Sequence, residues 1–175
     1  LYAQIEGDNF ATVPWADLIP NPNLVHFISR PDPPIVQGQR VLVVGCGLGD
    51  DAEYLQQQGL QVDAFDISPS AIQYCKERFP DTKVNYFAAD LLAMEKKEQY
   101  DWVVEIYTLQ VLPAGLRMRA LLKLPFLLKP GGKLLIICRG RDESEDPGQM
   151  PFPLAAIELG PLHLFTEEVL FEDFW

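Results

Sequence analysis

Three glycines at alternate positions follow a short apolar run near residue 45. The run Val41–Val44 leads into Gly45–Gly49, and two aspartates come directly after it. Glycine reaches backbone conformations closed to other residues, and without a side chain it lets a ligand lie against the main chain. The sequence therefore predicts a ligand-binding turn between a strand and a helix, although a tight turn with no ligand fits the same residues.

The glycine spacing separates this turn from two common nucleotide-binding loops. It is G-x-G-x-G, and neither the dinucleotide pattern G-x-G-x-x-G nor the G-K-[ST] ending of a triphosphate loop occurs there. Asp50 and Asp51 open the following helix, where negative charge would oppose a pyrophosphate. The two carboxylates favour a ligand that carries positive charge, such as an amino group or a sulfonium.

Carboxylates also follow the next two predicted strands. Asp66 comes directly after a strand over 61–65, where an acidic residue accepts hydrogen bonds from the hydroxyls of an adenosine ribose. Asp90 follows a strand over 83–87, where a carboxylate can accept a hydrogen bond from an adenine amino group. The alternative for Asp66 is a carboxylate at the entry of the next helix, and the alternative for Asp90 is an N-cap for residues 91–94.

The elements that position these residues alternate between strand and helix. We predict strands over 40–44, 61–65, 83–87, 101–107 and 133–138, and helices over 50–58, 68–79 and from Pro113 to Leu128. Near-continuous apolar strands separated by helices are typical of a parallel sheet covered on both faces. The expected fold class is α/β, a Rossmann-like doubly wound sheet, mostly parallel, with helices on both faces. The tail Val169–Trp175 alternates like a strand, and the sequence offers no candidate for a further one, so the last strand of the fold is expected to be missing.

A single domain accounts for the 175 residues. Residues 1–38 read as an N-terminal arm with one short helix that begins near Asn21 and covers the ligand site. Residues 39–139 form the binding core, and residues 140–175 form an acidic loop, a helix and a terminal strand.

Charge and composition argue against several classes of protein. The chain has 14 basic and 25 acidic residues, a net charge of −11, and its longest charge cluster, Arg141–Asp146, is mainly acidic and reads as a solvated loop. A nucleic-acid binder needs a basic face. No apolar run approaches the roughly 18–20 residues that span a bilayer, and no secretory signal opens the chain. We expect a cytoplasmic protein with neither nucleic acid nor membrane as a partner.

The cysteines and histidines suggest no metal site. Cys46, Cys75 and Cys138 form no C-x-x-C pair, and His26 and His163 are far apart in the sequence. We expect free thiols in a reducing compartment and no bound metal.

Four segments together resemble the class I S-adenosylmethionine-dependent methyltransferases. Their order and intervals fit over about residues 35–140, and they are Val41–Asp51, Asp66–Ile72, Ala88–Leu92 and Leu127–Gly132. The N-terminal segment Thr12–Trp15 and the pair Asn21-Pro22 resemble the entry segment of the thiopurine, halide/thiol and tellurite-resistance branch.

The resemblance implies S-adenosylmethionine as the cofactor and gives roles to the residues around it. The ribose would be held by Asp66, with Ile67 packed on the adenine. The family often has an acidic residue where this chain has Val43, so the cofactor's amino group would need Glu105 or Asp50 instead. The remaining cofactor-binding residues implied are Gly45, Cys46, Gly47 and Gly49 at the methionine part, Ala89, Asp90 and Leu91 at the adenine, and Ile106 and Tyr107 near the methionine end.

The resemblance also implies methyl transfer to a small-molecule acceptor, which can be a thiol, a halide, an amine or a hydroxyl. No catalytic group is expected for a soft anion, because the sulfonium is already activated. Candidate acceptor-binding residues are Trp15, Gln110, Arg139, Arg141 and Phe152. The alternatives are core packing for the aromatic residues and pairing with the acidic loop for the arginines. Two other functions stay open: a nicotinamide-dependent oxidoreductase and a non-catalytic S-adenosylmethionine-binding domain.

Overall fold

The computed structural model of the chain describes residues 18–31, 34–95, 99–166 and 172. Five helices and five strands carry the fold within these ranges. They are α1 Pro22–Ile28, β1 Arg40–Val44, α2 Asp50–Gln57, β2 Gln61–Asp66, α3 Pro69–Arg78, β3 Asn85–Ala88, β4 Tyr100–Ile106, α4 Ala114–Lys123, β5 Leu128–Ile137 and α5 Ala156–Leu159. Short 3₁₀ helices occur at Leu109–Val111, Leu124–Leu127 and Gly160–Leu164.

The described strands form one parallel sheet in the order β3-β2-β1-β4-β5. The chain builds outwards from β1 to β3 and then returns to the other side of β1 to build β4 and β5. In such sheets the connections after the two central strands leave in opposite directions, and a ligand crevice opens at their carboxyl ends. The predicted α/β fold is confirmed, and the crevice falls where β1 ends.

Helices cover both faces of the sheet because successive residues of each strand point to opposite sides. On β1, Val41 and Val43 lie in a core with residues of α1, α2 and α3. Leu42 and Val44 lie in a second core on the other face, with residues of α4 and the 3₁₀ helix that follows it. Each face of the sheet therefore has its own hydrophobic core.

Local sequence signals set where the helices begin. The Asn21 side chain accepts a hydrogen bond from the backbone N–H of Asn23 at 2.9 Å and so caps α1. The Ser68 hydroxyl accepts one from the backbone N–H of Ala71 at 3.3 Å, and Pro69 stands at the first position of α3. Both starts were predicted.

The long helix predicted from Pro113 to Leu128 is wrong at its C-terminal end. Helix α4 stops at Lys123, and a 3₁₀ helix follows it. Pro125 lies in that segment, where its missing N–H and its ring oppose a continuing α-helix.

The predicted strand over 133–138 is also too short. Leu128 already pairs with Tyr100, and the next paired residues are Lys133 and Trp102. Residues 129–132 therefore bulge out within β5. A Cβ at Gly132 would lie 2.9 Å from the Tyr100 carbonyl oxygen, so the bulge requires glycine there.

The segment after β5 returns towards the sheet. An isolated bridge joins Gly140 to Leu154 before α5 begins. The predicted tail strand Val169–Trp175 lies outside the described residues, apart from Glu172. None of the described helices has both the length and the hydropathy to cross a membrane.

Candidate functional site

The glycine turn lies at the carboxyl end of β1, beside the point where the strand order reverses. Gly45, Gly47 and Gly49 all have left-handed backbones, with φ values of +63°, +55° and +91°. The Cys46 N–H donates to the Phe65 carbonyl oxygen at 2.9 Å, which ties the turn to β2. The predicted strand, turn and helix are therefore present in this order.

The left-handed backbones expected of these glycines are present, and two of the glycines also have a packing reason that was not predicted. A Cβ at Gly45 would overlap the Thr108 hydroxyl, and a Cβ at Gly49 would lie 2.5 Å from the Tyr86 hydroxyl oxygen and 3.1 Å from the Cys75 sulfur. The protein's own side chains are sufficient to exclude larger residues at these two positions.

Asp66 faces the turn from the end of β2. Its side chain is buried, with Oδ2 accepting from the Gly47 N–H at 3.1 Å and Oδ1 accepting from the Ser68 N–H at 2.9 Å. Burial raises the pKa of Asp66, and the backbone hydrogen bonds from Ser68 and Gly47 oppose that rise. The carboxylate therefore serves the entry of α3, as the alternative interpretation had it, and also contacts the glycine turn.

Exposed apolar side chains stand beside this buried carboxylate. Ile67 directly follows β2 and is 72% exposed, and Tyr107 directly follows β4 and is 41% exposed. Because β2 and β4 flank β1 in a parallel sheet, both residues lie at the same edge as the glycine turn. The carboxylate can accept a hydrogen bond from a sugar hydroxyl, and the exposed apolar side chains can pack against a flat ring. The residues present therefore fit an adenosyl group.

The turn after β3 carries Ala89, Asp90 and Leu91. Asp90 is exposed, and its Oδ1 accepts from the Leu92 N–H at 2.8 Å, which is the capping role weighed as the alternative. Leu91 is buried in the second core. The Ala89 N–H donates to the Asp66 carbonyl oxygen at 3.0 Å, so this turn lies next to Asp66.

The two aspartates that open α2 have partners in the protein. Asp50 makes two hydrogen bonds with the Arg78 guanidinium, at 2.8 and 3.0 Å. Asp51 accepts from the Asn21 N–H at 2.6 Å, and burial raises the pKa of Asp51 to about 6. The negative charge expected to attract a cationic ligand is thus neutralised at Asp50 by Arg78.

Glu105 lies inside the protein at the end of β4. Its Oε1 accepts from the backbone N–H groups of Thr108, at 2.5 Å, and Leu109, at 2.9 Å. Burial raises the pKa of Glu105 to about 7, and these two hydrogen bonds oppose the rise. Whether Glu105 or Asp50 binds a cofactor amino group stays a prediction, and each has protein partners. Ile106, which follows Glu105, is half-buried.

Gln110 links the loop after β4 to the loops that follow β5. It is fully buried, its Nε2 donates to the Phe152 carbonyl oxygen at 3.0 Å, and its Oε1 accepts from the Arg139 N–H at 2.7 Å. The Phe152 N–H donates back to the Gln110 carbonyl oxygen at 2.8 Å. The Gln110 side chain therefore joins Arg139 and Phe152, both of them predicted acceptor residues.

Arg141 organises the acidic loop. Its guanidinium donates to the backbone carbonyl oxygens of Asp142 and Glu145, both at 3.0 Å, and to the Glu158 carboxylate, also at 3.0 Å. This is the pairing weighed as its alternative role. The Arg139 side chain is exposed, and the predicted acceptor residue Trp15 lies outside the described residues.

Two thiols lie beside the glycine turn. The Cys75 thiol donates to the Gly47 carbonyl oxygen at 3.3 Å. The hydrogen bond with the Cys75 thiol and burial raise the pKa of Cys46 well above its ordinary value. The described cysteines are free, as expected, and these two are small side chains in the packing of the turn.

Three residues that hold the turn were missed by sequence reasoning. Thr108 and Tyr86 fill the space next to Gly45 and Gly49, and Arg78 binds both Asp50 and the Leu48 carbonyl oxygen. They come from β3, α3 and the loop after β4. Nothing in their spacing along the chain indicates that they meet, because the sheet order alone brings them together.

Residues 41–132 match the family model of the methyltransferase domain. The match covers just over half of the chain and includes the glycine turn, Asp66 and Asp90. This chain belongs to the methyltransferase domain family. The motifs had predicted a class I S-adenosylmethionine-dependent methyltransferase, and that prediction is confirmed. A nicotinamide-dependent oxidoreductase is not favoured.

Relatives of this methyltransferase domain include proteins with sulfur acceptors in their names. The chain is 27% identical over 149 residues to a probable thiol methyltransferase 2 of Arabidopsis thaliana, covering 83% of this chain and 64% of that protein. It is 25% identical over 158 residues to a thiopurine S-methyltransferase of Vibrio atlanticus, covering 81% of this chain and 71% of that protein. The chain thus spans about two thirds of the length of these relatives.

A solved structure supports the same family. The chain is 27% identical to a TehB-like SAM-dependent methyltransferase from Corynebacterium glutamicum, with a TM-score of 0.54. The superposition covers 65% of this chain and 59% of that one. The fold and the sequence therefore point to the same family.

Proposed function

We propose that the whole protein transfers the methyl group of S-adenosylmethionine to a small-molecule thiol. The observation that carries the proposal is the buried carboxylate of Asp66, turned towards the glycine turn of a methyltransferase domain. The names of the Arabidopsis and Vibrio relatives both specify sulfur acceptors, which favours a thiol over a halide, an amine or a hydroxyl.

Asp66 has the capacity to bind the ribose. A carboxylate offers about four acceptor positions. Its two oxygens accept the backbone N–H groups of Gly47 and Ser68, and the Ile67 N–H also stabilises the carboxylate, so about one or two positions remain for the ribose hydroxyls. Ile67 supplies an exposed apolar surface beside it for the adenine ring.

The rest of the proposed cofactor site surrounds these two residues. The backbone of the glycine turn receives the methionine part, and the turn after β3 lies beside the adenine. The residues proposed to line the cofactor are Gly45, Cys46, Gly47, Gly49, Asp50, Ala89, Asp90, Leu91, Ile106 and Tyr107, with Glu105 buried behind them.

The residues predicted to bind the acceptor fall into two groups, exposed side chains that can contact it and side chains that hold the surrounding loops in place. Tyr107 and Arg139 are exposed, and they are our first candidates for contact with the acceptor. Gln110 and Arg141 already bind backbone carbonyl oxygens of the loop after β5. We propose that, together with Phe152, they hold this loop in position beside the acceptor. An exposed arginine there favours an acceptor with negative charge.

Catalysis in this proposal needs little beyond placement. When bound, S-adenosylmethionine supplies a methyl group on a positively charged sulfur. The loops after β4 and β5 hold the acceptor in line with it and exclude water, and orientation of this kind is worth about 7–11 kcal/mol of a reaction barrier. A thiolate needs no general base from the protein, whereas an amine or a hydroxyl acceptor does.

The proposed setting is cytoplasmic, with neither nucleic acid nor a membrane as the acceptor. The net charge of −11 opposes binding to phosphate-rich surfaces. The free cysteines beside the glycine turn suit a reducing compartment.

Calorimetric titration with S-adenosylhomocysteine tests the cofactor site. The unaltered protein should bind, and Asp66→Ala should weaken binding by at least about ten-fold, since hydrogen bonds to a charged group contribute about 1.5–3 kcal/mol each. Asp81→Ala is the matched control, because Asp81 is an exposed carboxylate in the loop between α3 and β3. An Asp66→Ala protein that folds and binds as tightly as the control would remove Asp66 from the site.

A panel of acceptors tests the reaction. The protein and S-adenosylmethionine are incubated with small thiols, halides, amines and alcohols, and formation of S-adenosylhomocysteine is followed. Turnover with thiols supports the proposal. Turnover only with another acceptor class would replace the thiol, and cofactor binding without any turnover would favour a non-catalytic domain.

A further inference from the structure

The loop after β4 contacts the glycine turn through one side chain. Thr108 donates its hydroxyl hydrogen to the Val44 carbonyl oxygen at 3.1 Å, directly before the first glycine. The same side chain occupies the space where Gly45 would carry a Cβ. Displacement of Thr108 therefore removes both a hydrogen bond and a packing contact from the start of the glycine turn.

Glu105 fixes where Thr108 lies. Its Oε1 accepts the backbone N–H groups of both Thr108 and Leu109, while its Oε2 has no hydrogen-bond partner among the described residues. Tyr107, inside the same loop, has a φ of +61°, a strained backbone for a residue with a side chain. The loop keeps this conformation because the buried carboxylate holds the two N–H groups that follow Tyr107.

The glycine turn is thus held from both neighbouring strands. Asp66 on β2 holds the Gly47 N–H, and Thr108 after β4 holds Val44 and Gly45. Asp66 keeps 7% of its surface exposed at the end of β2, whereas Glu105 is completely buried. Both carboxylates therefore help to hold the glycine turn. Asp66 contacts it directly, whereas Glu105 acts through Thr108 in the loop after β4.

We propose that Glu105 is a positioning residue for cofactor binding, which acts through Thr108 to set the backbone of the glycine turn. This inference rests on the proposed cofactor site at that turn. It differs from direct contact with the cofactor's amino group, because the Glu105 side chain is completely buried and its Oε1 is already used by the Thr108 and Leu109 N–H groups.

The proposal predicts how two changes combine. Glu105→Ala frees Thr108, and Thr108→Val keeps the shape of the side chain but removes its hydroxyl. Each should weaken binding of S-adenosylhomocysteine, with about a ten-fold loss for Glu105→Ala, within the range found for residues in one network. Since both act at the same contact, the double variant should bind within about two-fold of Glu105→Ala alone.

A conservative variant separates positioning from a need for charge. Glu105→Gln keeps a side-chain oxygen that can accept from Thr108 and Leu109, so it should bind within about three-fold of the unaltered protein. Glu77→Ala is the control for loss of a carboxylate, since Glu77 is exposed on α3. Thermal unfolding of each variant shows that binding is measured on folded protein.

Calorimetry with S-adenosylhomocysteine gives a clear outcome in each case. Non-additive losses with rescue by Gln support the proposal. Losses that multiply in the double variant, equal losses for Gln and Ala, or folded Glu105→Ala protein with unchanged affinity would each overturn it. If the unaltered protein does not bind S-adenosylhomocysteine, the proposed cofactor site itself fails. If it binds, and only the affinities of the Glu105 and Thr108 variants differ from those expected, the role of Glu105 alone is rejected.

Discussion

Gly45→Ala should destabilise the protein even when no ligand is bound. The added methyl group would overlap the Thr108 hydroxyl, and residue 45 would have to keep a φ of +63° although it now carries a side chain. An ordinary residue in the left-handed region is destabilising by about 1–2 kcal/mol. Thr108 would have to move, and its hydrogen bond to the Val44 carbonyl oxygen contributes about 0.5–1.5 kcal/mol more.

The expected total is a loss of about 1.5–3.5 kcal/mol in the free energy of unfolding. Urea denaturation followed by circular dichroism measures it. Gly38→Ala is the matched control, because Gly38 has a φ of +84° and no neighbouring atom would lie within 4 Å of its added methyl group. The control should lose only the backbone part, about 1–2 kcal/mol.

Thr108→Ala tests the cause of the difference. It removes the two atoms nearest to the new methyl group and leaves the Thr108 Cβ at 3.0 Å from it. Gly45→Ala should therefore be less damaging in the Thr108→Ala protein than in the unaltered one. Equal stability losses for Gly45→Ala and Gly38→Ala, with no coupling to Thr108, would refute packing as the reason for this glycine.

Two further changes probe the charges around the turn. Arg78→Ala should lower the free energy of unfolding by about 1.5–3 kcal/mol, because it leaves Asp50 without its two charged hydrogen bonds; Lys76→Ala, on the same helix, is the control in urea denaturation. Burial raises the pKa of Glu105 from 4.5 to about 7, so its charged form disfavours the folded state, and stability from this group is lost as the pH rises through that window. Glu105→Gln should therefore gain stability relative to the unaltered protein between pH 4.5 and 7; a difference that is constant with pH would contradict the shifted pKa.

The order of elements could be predicted because each signal is local. The apolar run before Gly45, the Ser68 cap and the alternation of strand and helix require only neighbouring residues. Boundaries failed where tertiary pairing decides them. Leu128 joins β5 because Tyr100 lies opposite it across the sheet, and no pattern near residue 128 contains that information.

The candidate site shows the same limit. Asp66 could be selected because its place after β2 follows from the sequence pattern alone. The partners of Asp50, Glu105 and Gln110 could not, since Arg78, Thr108 and Phe152 meet them only after the sheet has formed. From the sequence alone, a charged or polar residue near a predicted site is therefore interpreted as a ligand contact, because its partners within the protein are not yet known.

A crystal structure with S-adenosylhomocysteine tests the central claim most directly. The adenosyl group should lie against the backbone of Gly45–Gly49, with its ribose hydroxyls within hydrogen-bond distance of Asp66 and its adenine on Ile67. A bound ligand elsewhere on the protein, with Asp66 still contacting only backbone N–H groups, would contradict it.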